Sequence, residues 1–305
     1  MISVILPTYR REQILVDTLR SLELQLRAGD EILVIDQTLK HEPSTENALL
    51  QMTDAGSMRW IRKSTPNQAE AMNVGALLAR GEVLLFLDDD IVPSAQLLDA
   101  HRREFGEKSS PPATCGQVLQ PWNDQPLEQI GDFSLRFNAA FARRCEVVAL
   151  MAGNFAIRRE TFLLVGGMDE NYRGSNYRND SEMAYRIFKR TGQRLRFVPE
   201  ASIRHLLAAG GNRSFGHKDT WGGIGGSIGD YYFAVRSLSP AAAVAHCVRR
   251  FVKEPLNRYT IRHPWLIPSL YARELVAFIQ ASARIIRKPN NYIKSLADYR
   301  DLLPE

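Results

Sequence analysis

Cysteine is scarce in this chain of 305 residues. Cys115, Cys145 and Cys247 are odd in number, widely scattered, and without metal-ligand spacing. This excludes a disulfide framework and predicts buried thiols in a reducing compartment. Long apolar runs are lacking too. No stretch approaches the ~20 residues that a membrane-spanning helix needs. The best candidate, Leu275 to Ala283, is bounded by Glu274 and Arg284. Met1 to Pro7 reads directly as a strand, with no basic n-region and no long apolar region. No signal peptide is therefore expected, and the expected location is cytoplasmic. Internal repeats and low-complexity tracts are missing. What remains, 45% hydrophobic and 24% charged residues, suits a soluble globular protein. The length allows one large α/β domain with or without an appendage.

Charge is unevenly spread. From His205 onward there are 14 Lys/Arg against 7 Asp/Glu, whereas the preceding segment holds 25 against 27. The net charge of +5 therefore comes from the C-terminal third. An anionic membrane surface, a phosphorylated ligand, nucleic acid or a simply solvated basic face would each account for it.

The first part of the chain alternates strand and helix patterns. Ile2 to Leu6, Glu31 to Ile35, Arg59 to Ile61 and Val83 to Leu87 read as strands. Between them, Ile14 to Leu26, Ser44 to Met52 and Gln68 to Ala79 read as helices. That alternation predicts βαβ units and a mainly parallel sheet. Further on, a helix is expected over Pro93 to Phe105, strands at Thr114 to Leu119 and Asn154 to Ile157, and a helix over Asn179 to Thr191. Short strands at Leu195 to Val198 and Ser202 to Leu206 follow. Gly210 to Gly229 contains eight glycines and reads as a mobile loop or lid. Helical patterns return over Tyr231 to Lys253 and Ser269 to Arg287. The domain reading is thus 1–206, a loop at 207–230, and a basic helical appendage at 231–305.

The run Asp88-Asp89-Asp90 stands where the apolar strand Val83 to Leu87 ends. Three adjacent carboxylates repel one another unless solvent or a cation offsets the charge. In open α/β sheets ligands bind beyond the carboxyl ends of the strands. Asp88 and Asp90 share a face of extended chain while Asp89 points away. Such oxygens suit Mg²⁺ or Mn²⁺ with a diphosphate as co-ligand. An acidic turn ending a strand is the plainer alternative.

Taken in order, the motifs resemble those of the family 2 glycosyltransferases, nucleotide-sugar enzymes of GT-A fold, over about Met1 to Leu206. Ser3-Val4-Ile5-Leu6-Pro7-Thr8-Tyr9-Arg10 looks like the family's first strand and nucleotide loop. Glu31 to Asp36 matches the next strand, and the resemblance implies that Asp36 accepts the N3–H of a uracil or thymine base. Asn73-x-Gly75 also fits, with Met72 where many members have Arg. Asp88-Asp89-Asp90 corresponds to the Asp-x-Asp motif, which implies that Asp90 holds the metal and Asp88 faces the nucleotide ribose. Gly153 to Glu160 and Gly166-Gly167-Met168-Asp169-Glu170 match the acceptor-side strand and turn. Asn179-Asp180 lies where the family has Glu-Asp, so Asp180 aligns with the general base. Read alone, Asn179 with Glu182 three residues on is equally a helix capping box. Arg186 fits the same helix. His205 corresponds to a histidine that reaches the metal or the diphosphate. Trp122, Asp124, Asn154, Asn179 and Trp221 are the candidates for acceptor contacts.

These features predict an inverting, Mn²⁺- or Mg²⁺-dependent glycosyltransferase. Its donor would be a nucleoside-diphosphate sugar, held by Pro7, Thr8, Tyr9, Arg10, Asp36, Asn73, Asp88 and Asp89. The acceptor would be a glycan or lipid-linked hydroxyl. No nucleic-acid partner is expected. The apolar and basic C-terminal helices suggest peripheral contact with the inner membrane face or, alternatively, packing on the catalytic domain or a second subunit. A nucleotidyltransferase would show a Gly-rich loop after the first strand, where this chain has Pro7-Thr8-Tyr9-Arg10. A non-catalytic nucleotide- or glycan-binding module of the same fold is the other alternative.

Overall fold

The structure, a computed structural model, describes residues 1–106, 110–122, 139–174, 176–211, 221–288 and 291–302. In the first part, β1 (Ile2–Thr8), α1 (Gln13–Glu23), β2 (Glu31–Asp36), α2 (Pro43–Asp54), β3 (Arg59–Arg62), α3 (Gln68–Leu78) and β4 (Val83–Leu87) alternate as expected. All seven residues of β1 and all five of β4 are buried, because helices cover both faces of the sheet. In α1, Leu15, Leu19 and Leu22 recur at helical spacing and turn one stripe into the core. Asn67 caps α3 by accepting the Glu70 amide. That helix presses so closely on β1 that a Cβ at Gly75 would collide with Ile5.

Next come β5 (Ile91–Pro93), α4 (Leu97–Phe105), β6 (Ala113–Leu119), β7 (Cys145–Val147), β8 (Asn154–Arg158), α5 (Arg159–Leu164), α6 (Asn179–Thr191) and β9 (Leu195–His205). Pro93 ends a short strand and does not start the helix, which begins at Leu97. Lacking an N–H, a proline is tolerated at the sheet's edge, where β5 lies. The two short strands expected between Leu195 and Leu206 are one strand with a bulge in its pairing to β6.

Among the described residues the sheet has nine strands in the order β3-β2-β1-β4-β8-β6-β9-β5, with β7 also on β9. The parallel sheet expected from the alternating pattern holds for β3-β2-β1-β4. Beyond it, β8 runs antiparallel to both β4 and β6, and β5 and β7 run antiparallel to β9.

The glycine-rich segment is not a loop throughout. It enters a 3-10 turn at Trp221–Gly223 and then α7 (Ile224–Ser237), so its last glycines are helical; 212–220 lie outside the described residues. At Gly229 the helix approaches the backbone of Tyr177 so closely that a Cβ would collide with it. The pattern from Tyr231 to Lys253 is two helices, because Pro240 opens α8 (Pro240–Lys253). A short α9 (Arg258–Arg262) and a long α10 (Ile267–Arg287) follow. Tyr172, Tyr231, Tyr232, Ala277 and Ala281 form a second, smaller core between α7, α10 and the turn after α5. After α10 the chain returns to the main core. Tyr299 is fully buried in the main core and its hydroxyl hydrogen-bonds Glu170.

Candidate active site

β4 ends at Leu87, and the backbone carries Asp88, Asp89 and Asp90 across to β5. The antiparallel partner strand sets Leu87 opposite Asn154, so Gly153 meets Asp88: the Asp88 amide donates to the Gly153 carbonyl at 3.2 Å. A Cβ at Gly153 would collide with the Asp88 carboxylate. On the other side, β5 pairs with β9 in the register Ile91 to His205. This brings His205 Nε2 to 3.1 Å from Asp90 Oδ1 and 3.5 Å from Asp88 Oδ2. One ligand atom from each of Asp88, Asp90 and His205 lies within 4.8 Å of the others. Two hard carboxylate oxygens and an imidazole nitrogen form a donor set that fits Mn²⁺ or Mg²⁺. His205 is oriented by Gln120, whose Oε1 lies 3.0 Å from Nδ1.

Asp89 turns the other way, as strand alternation requires. It accepts the Thr8 hydroxyl at 2.7 Å and Arg11 Nε at 3.2 Å. Burial pushes its carboxyl up to about 6, against the opposing pull of Arg11 and Thr8. Arg11 also reaches Asp90 Oδ2 at 3.0 Å and donates to the carbonyls of Ala208 and Ala209. Its guanidinium, 3% exposed, thus ties the acidic run to the segment after β9. Arg11 did not figure among the residues expected at this site. Arg11 follows the left-handed Arg10 (φ 53°) in the loop after β1, where strand periodicity gives no signal for the direction of a side chain.

A cleft of about 460 Å³ opens over these groups. Pro7, Thr8, Tyr9, Arg11, Gln37, Asp88, Asp89 and His205 line it together with Tyr177, Arg178, Asn179 and Asp180. Asp180 stands in the first turn of α6. Burial raises its pKa, with the Ser181 amide and the charge of Arg178 opposing. The capping box does not form. Arg178, in left-handed conformation (φ 73°), is the N-cap and makes no side-chain cap bond. Asn179 is the first helical residue, with its Oδ1 buried and not hydrogen-bonded within the described residues. Glu182 instead pairs with Arg186, which also donates to the carbonyls of Val165 and Gly167.

Several expected contacts lie elsewhere. Arg10 does not line the cleft; its guanidinium sits over the Tyr9 ring at 4.9 Å and its amide donates to Thr38. Asp36 lies beneath the cleft floor, fully buried. Its carboxylate accepts His41 Nε2 at 2.6 Å, Trp60 Nε1 at 2.9 Å and the Thr38 amide at 2.8 Å. Asn73 is a structural clamp: its amide side chain bonds Met168 and Glu170 and so holds α3 to the Gly166–Glu170 turn. Asn154 is also internal, bonded to His101 and the carbonyls of Gln117 and Ala201. Trp122 is 73% exposed and does not line the cleft. Trp221 reaches Ser269 on α10 through its indole N–H, also away from the cleft. Asp124 lies outside the described residues.

Strand-end carboxylates and a histidine thus gather at the head of a mixed α/β sheet, beside a cleft that Asp180 also lines. The chain belongs to glycosyl transferase family 2, whose model matches residues 3–163, just over half its length. It is 36% identical over 92 residues to an uncharacterized glycosyltransferase of Haemophilus influenzae. That match covers 30% of this chain and 29% of the relative. Among solved structures, the mannosyltransferase PcManGT from Pyrobaculum calidifontis, in complex with GDP-Man and Mn²⁺, is similar with a TM-score of 0.59. The identity is 17%, over 99% of this chain and 81% of that one. TarS 1-349 of S. aureus in complex with UDP-GlcNAc is similar with a TM-score of 0.63 at 15% identity, over 92% and 81% of the two chains. At these identities the likeness speaks to the fold, which is GT-A.

Proposed function

We propose that this protein is a metal-dependent, inverting glycosyltransferase that moves a sugar from a nucleoside-diphosphate sugar to an acceptor hydroxyl. The observation that carries the reading is the cluster of Asp88, Asp90 and His205 beside a cleft that Asp88, His205 and Asp180 all line. A bound Mn²⁺ or Mg²⁺ would supply charge stabilisation for the departing diphosphate. Asp88, Asp90 and His205 would hold it. Pro7, Thr8, Tyr9 and Gln37 form the wall that receives the nucleoside, and Asp36 supports that wall from below. Asp180 takes the proton from the acceptor hydroxyl as its oxygen attacks the anomeric carbon, opposite the diphosphate. A carboxylate with a raised pKa is the stronger base for this step. The charge of Arg178 opposes that rise, and Asn179 offers a buried amide oxygen to the incoming sugar or acceptor. The acceptor in this reading is a glycan or lipid-linked hydroxyl, used at the cytoplasmic side. PcManGT and TarS, whose structures hold GDP-Man with Mn²⁺ and UDP-GlcNAc, set the donor classes to try first.

A thermal-shift screen against UDP-, dTDP- and GDP-sugars, with Mn²⁺ and with EDTA, tests the proposal. A ligand at 100 times its Kd stabilises the native state by about 2.7 kcal/mol. The expected result is a Mn²⁺-dependent rise in Tm with one nucleotide class, and release of that nucleoside diphosphate on turnover. Absence of both for all three classes overturns the reading.

A further inference from the structure

We propose that the outer faces of α8, α9 and α10 form a docking surface for an anionic lipid bilayer. Each of the two long helices has two apolar sides. Ala243 and Cys247 of α8, and Ala277 and Ala281 of α10, turn toward the protein. On α8, Val244, Val248 and Val252 recur every four residues on a different side and remain 46–64% exposed. On α10, Leu275, Ile279 and Ile286 follow at spacings of four and seven and are 52–80% exposed. Between the helices Trp265 is 69% exposed. Residues 240–288, a sixth of the chain, hold eleven of the 23 exposed large apolar side chains among the described residues. Such a concentration marks an interaction surface and not the ordinary scatter of surface apolar groups.

Charge selects the occupant. Over 240–288 six exposed residues, Arg249, Lys253, Arg258, Arg262, Arg287 and Lys288, are positive, against one acid, Glu254, whose side chain is 43% exposed beside Arg250. The other acid, Glu274, is buried against Arg250 and Arg273. A subunit interface of apolar stripes tends to exclude charge from its centre, whereas cations bordering apolar stripes match headgroups above acyl chains. No helix among the described residues is long and apolar enough to cross a membrane, so the helices lie along the bilayer surface. The surface is also joined to the cleft. Arg250 of α8 and Arg178 beside Asp180 grip the same carboxylate, Asp230 of α7. The inference stands on these exposed faces and does not depend on the catalytic reading.

Co-sedimentation of the full chain with vesicles of equimolar phosphatidylglycerol and phosphatidylcholine tests it. Binding is expected at low salt, with little to pure phosphatidylcholine and release as salt rises. The double variant Arg249→Glu/Lys253→Glu should bind at least about tenfold more weakly, and Val248→Ser/Trp265→Ser likewise. All four side chains are exposed, so circular-dichroism melts should match those of the parent. Three results would each overturn the proposal: no sedimentation with anionic vesicles at low salt, binding unchanged by the charge reversal, or a solution mass of twice 34.5 kDa that Val248→Ser halves. The last would make the face a subunit interface.

Discussion

Asp180 and Arg11 occupy the same cleft with different duties. Asp180→Asn keeps the shape of the helix start but cannot take up the acceptor proton. Transfer should fall on the order of 10²–10⁴-fold, while donor affinity, read by titration calorimetry, stays near the parent value. Unchanged transfer would move the base elsewhere. Arg11 is the counter-charge of a buried pair of carboxylates. Arg11→Met leaves Asp89 and Asp90 uncompensated, and loss of one partner in a buried ion pair costs about 3–5 kcal/mol. Urea denaturation in EDTA should show that loss. His41 and Asp36 give a pH signature. Burial disfavours the charged His41, but the hydrogen bond and charge of Asp36, with help from Glu12, outweigh it and raise its pKa above the ordinary histidine value of about 6.5. Burial likewise pushes Asp36 up, and the bonds from His41 and the Thr38 amide override that and lower it. The histidine's contribution is full below pH 6.5 and is lost as pH rises through its folded value. That of Asp36 is full above its unfolded value and is lost on acidification. Unfolding free energy should therefore decline from pH 6.5 upward in the parent, and less so in His41→Gln. Equal slopes in the two proteins would refute the pairing.

At the scale of elements, α6 is held from outside. Its N-cap, Arg178, is bonded to Asp230 of α7 at 2.7 Å, and Asp230 also accepts from His246 at 2.8 Å and Arg250 at 2.9 Å on α8. Burial would raise the Asp230 pKa, but the His246 hydrogen bond and the two arginine charges lower it far below the carboxylate range. Asp230→Asn should loosen three helices at once. We expect a lower Tm and a reduced kcat with little change in donor Kd, since Asp230 touches the catalytic helix and not the donor wall. An unaltered kcat beside a lowered Tm would restrict Asp230 to stability. This network accounts for why a glycine-rich stretch can end in a helix. Gly229 admits the Tyr177 backbone, and the adjacent Asp230 anchors the turn that carries Asp180.

Across the whole molecule, the segment after α10 packs back against the main core. Asn291 and Ile293 make backbone hydrogen bonds to Glu170 and Gly166, and Tyr299 fills the main core. Tyr299→Ala should cost about 3–5 kcal/mol, as buried aromatic truncations do. Because the residue lies in a core shared with the parallel sheet, far-UV and near-UV signals should still report one coincident transition, shifted down. Separate transitions would mean that the C-terminal helices melt independently of the sheet.

Period and composition made β1 to β4, α1 to α3 and α6 legible, because a buried parallel sheet demands unbroken apolar runs and its covering helices demand a stripe. The acidic run at the end of β4 and the carboxylate at the start of α6 were legible for the same reason: each stands where an element stops. Nothing local could reveal that β5 and β9 pair in a register that sets His205 beside Asp90, since that pairing spans more than a hundred residues of chain. Tertiary packing also decided which polar residues face the cleft. Asn73, Asn154 and Asp36 carry the same side-chain chemistry as a binding site, yet each is consumed by internal partners brought from distant segments. Arg11 lies in the loop after β1, and its place in the site is set by Asp89, Asp90 and the carbonyls of Ala208 and Ala209, all distant in sequence. Local sequence sets periodicity and termini, whereas the partner of a buried polar group is set by long-range contacts that desolvate it.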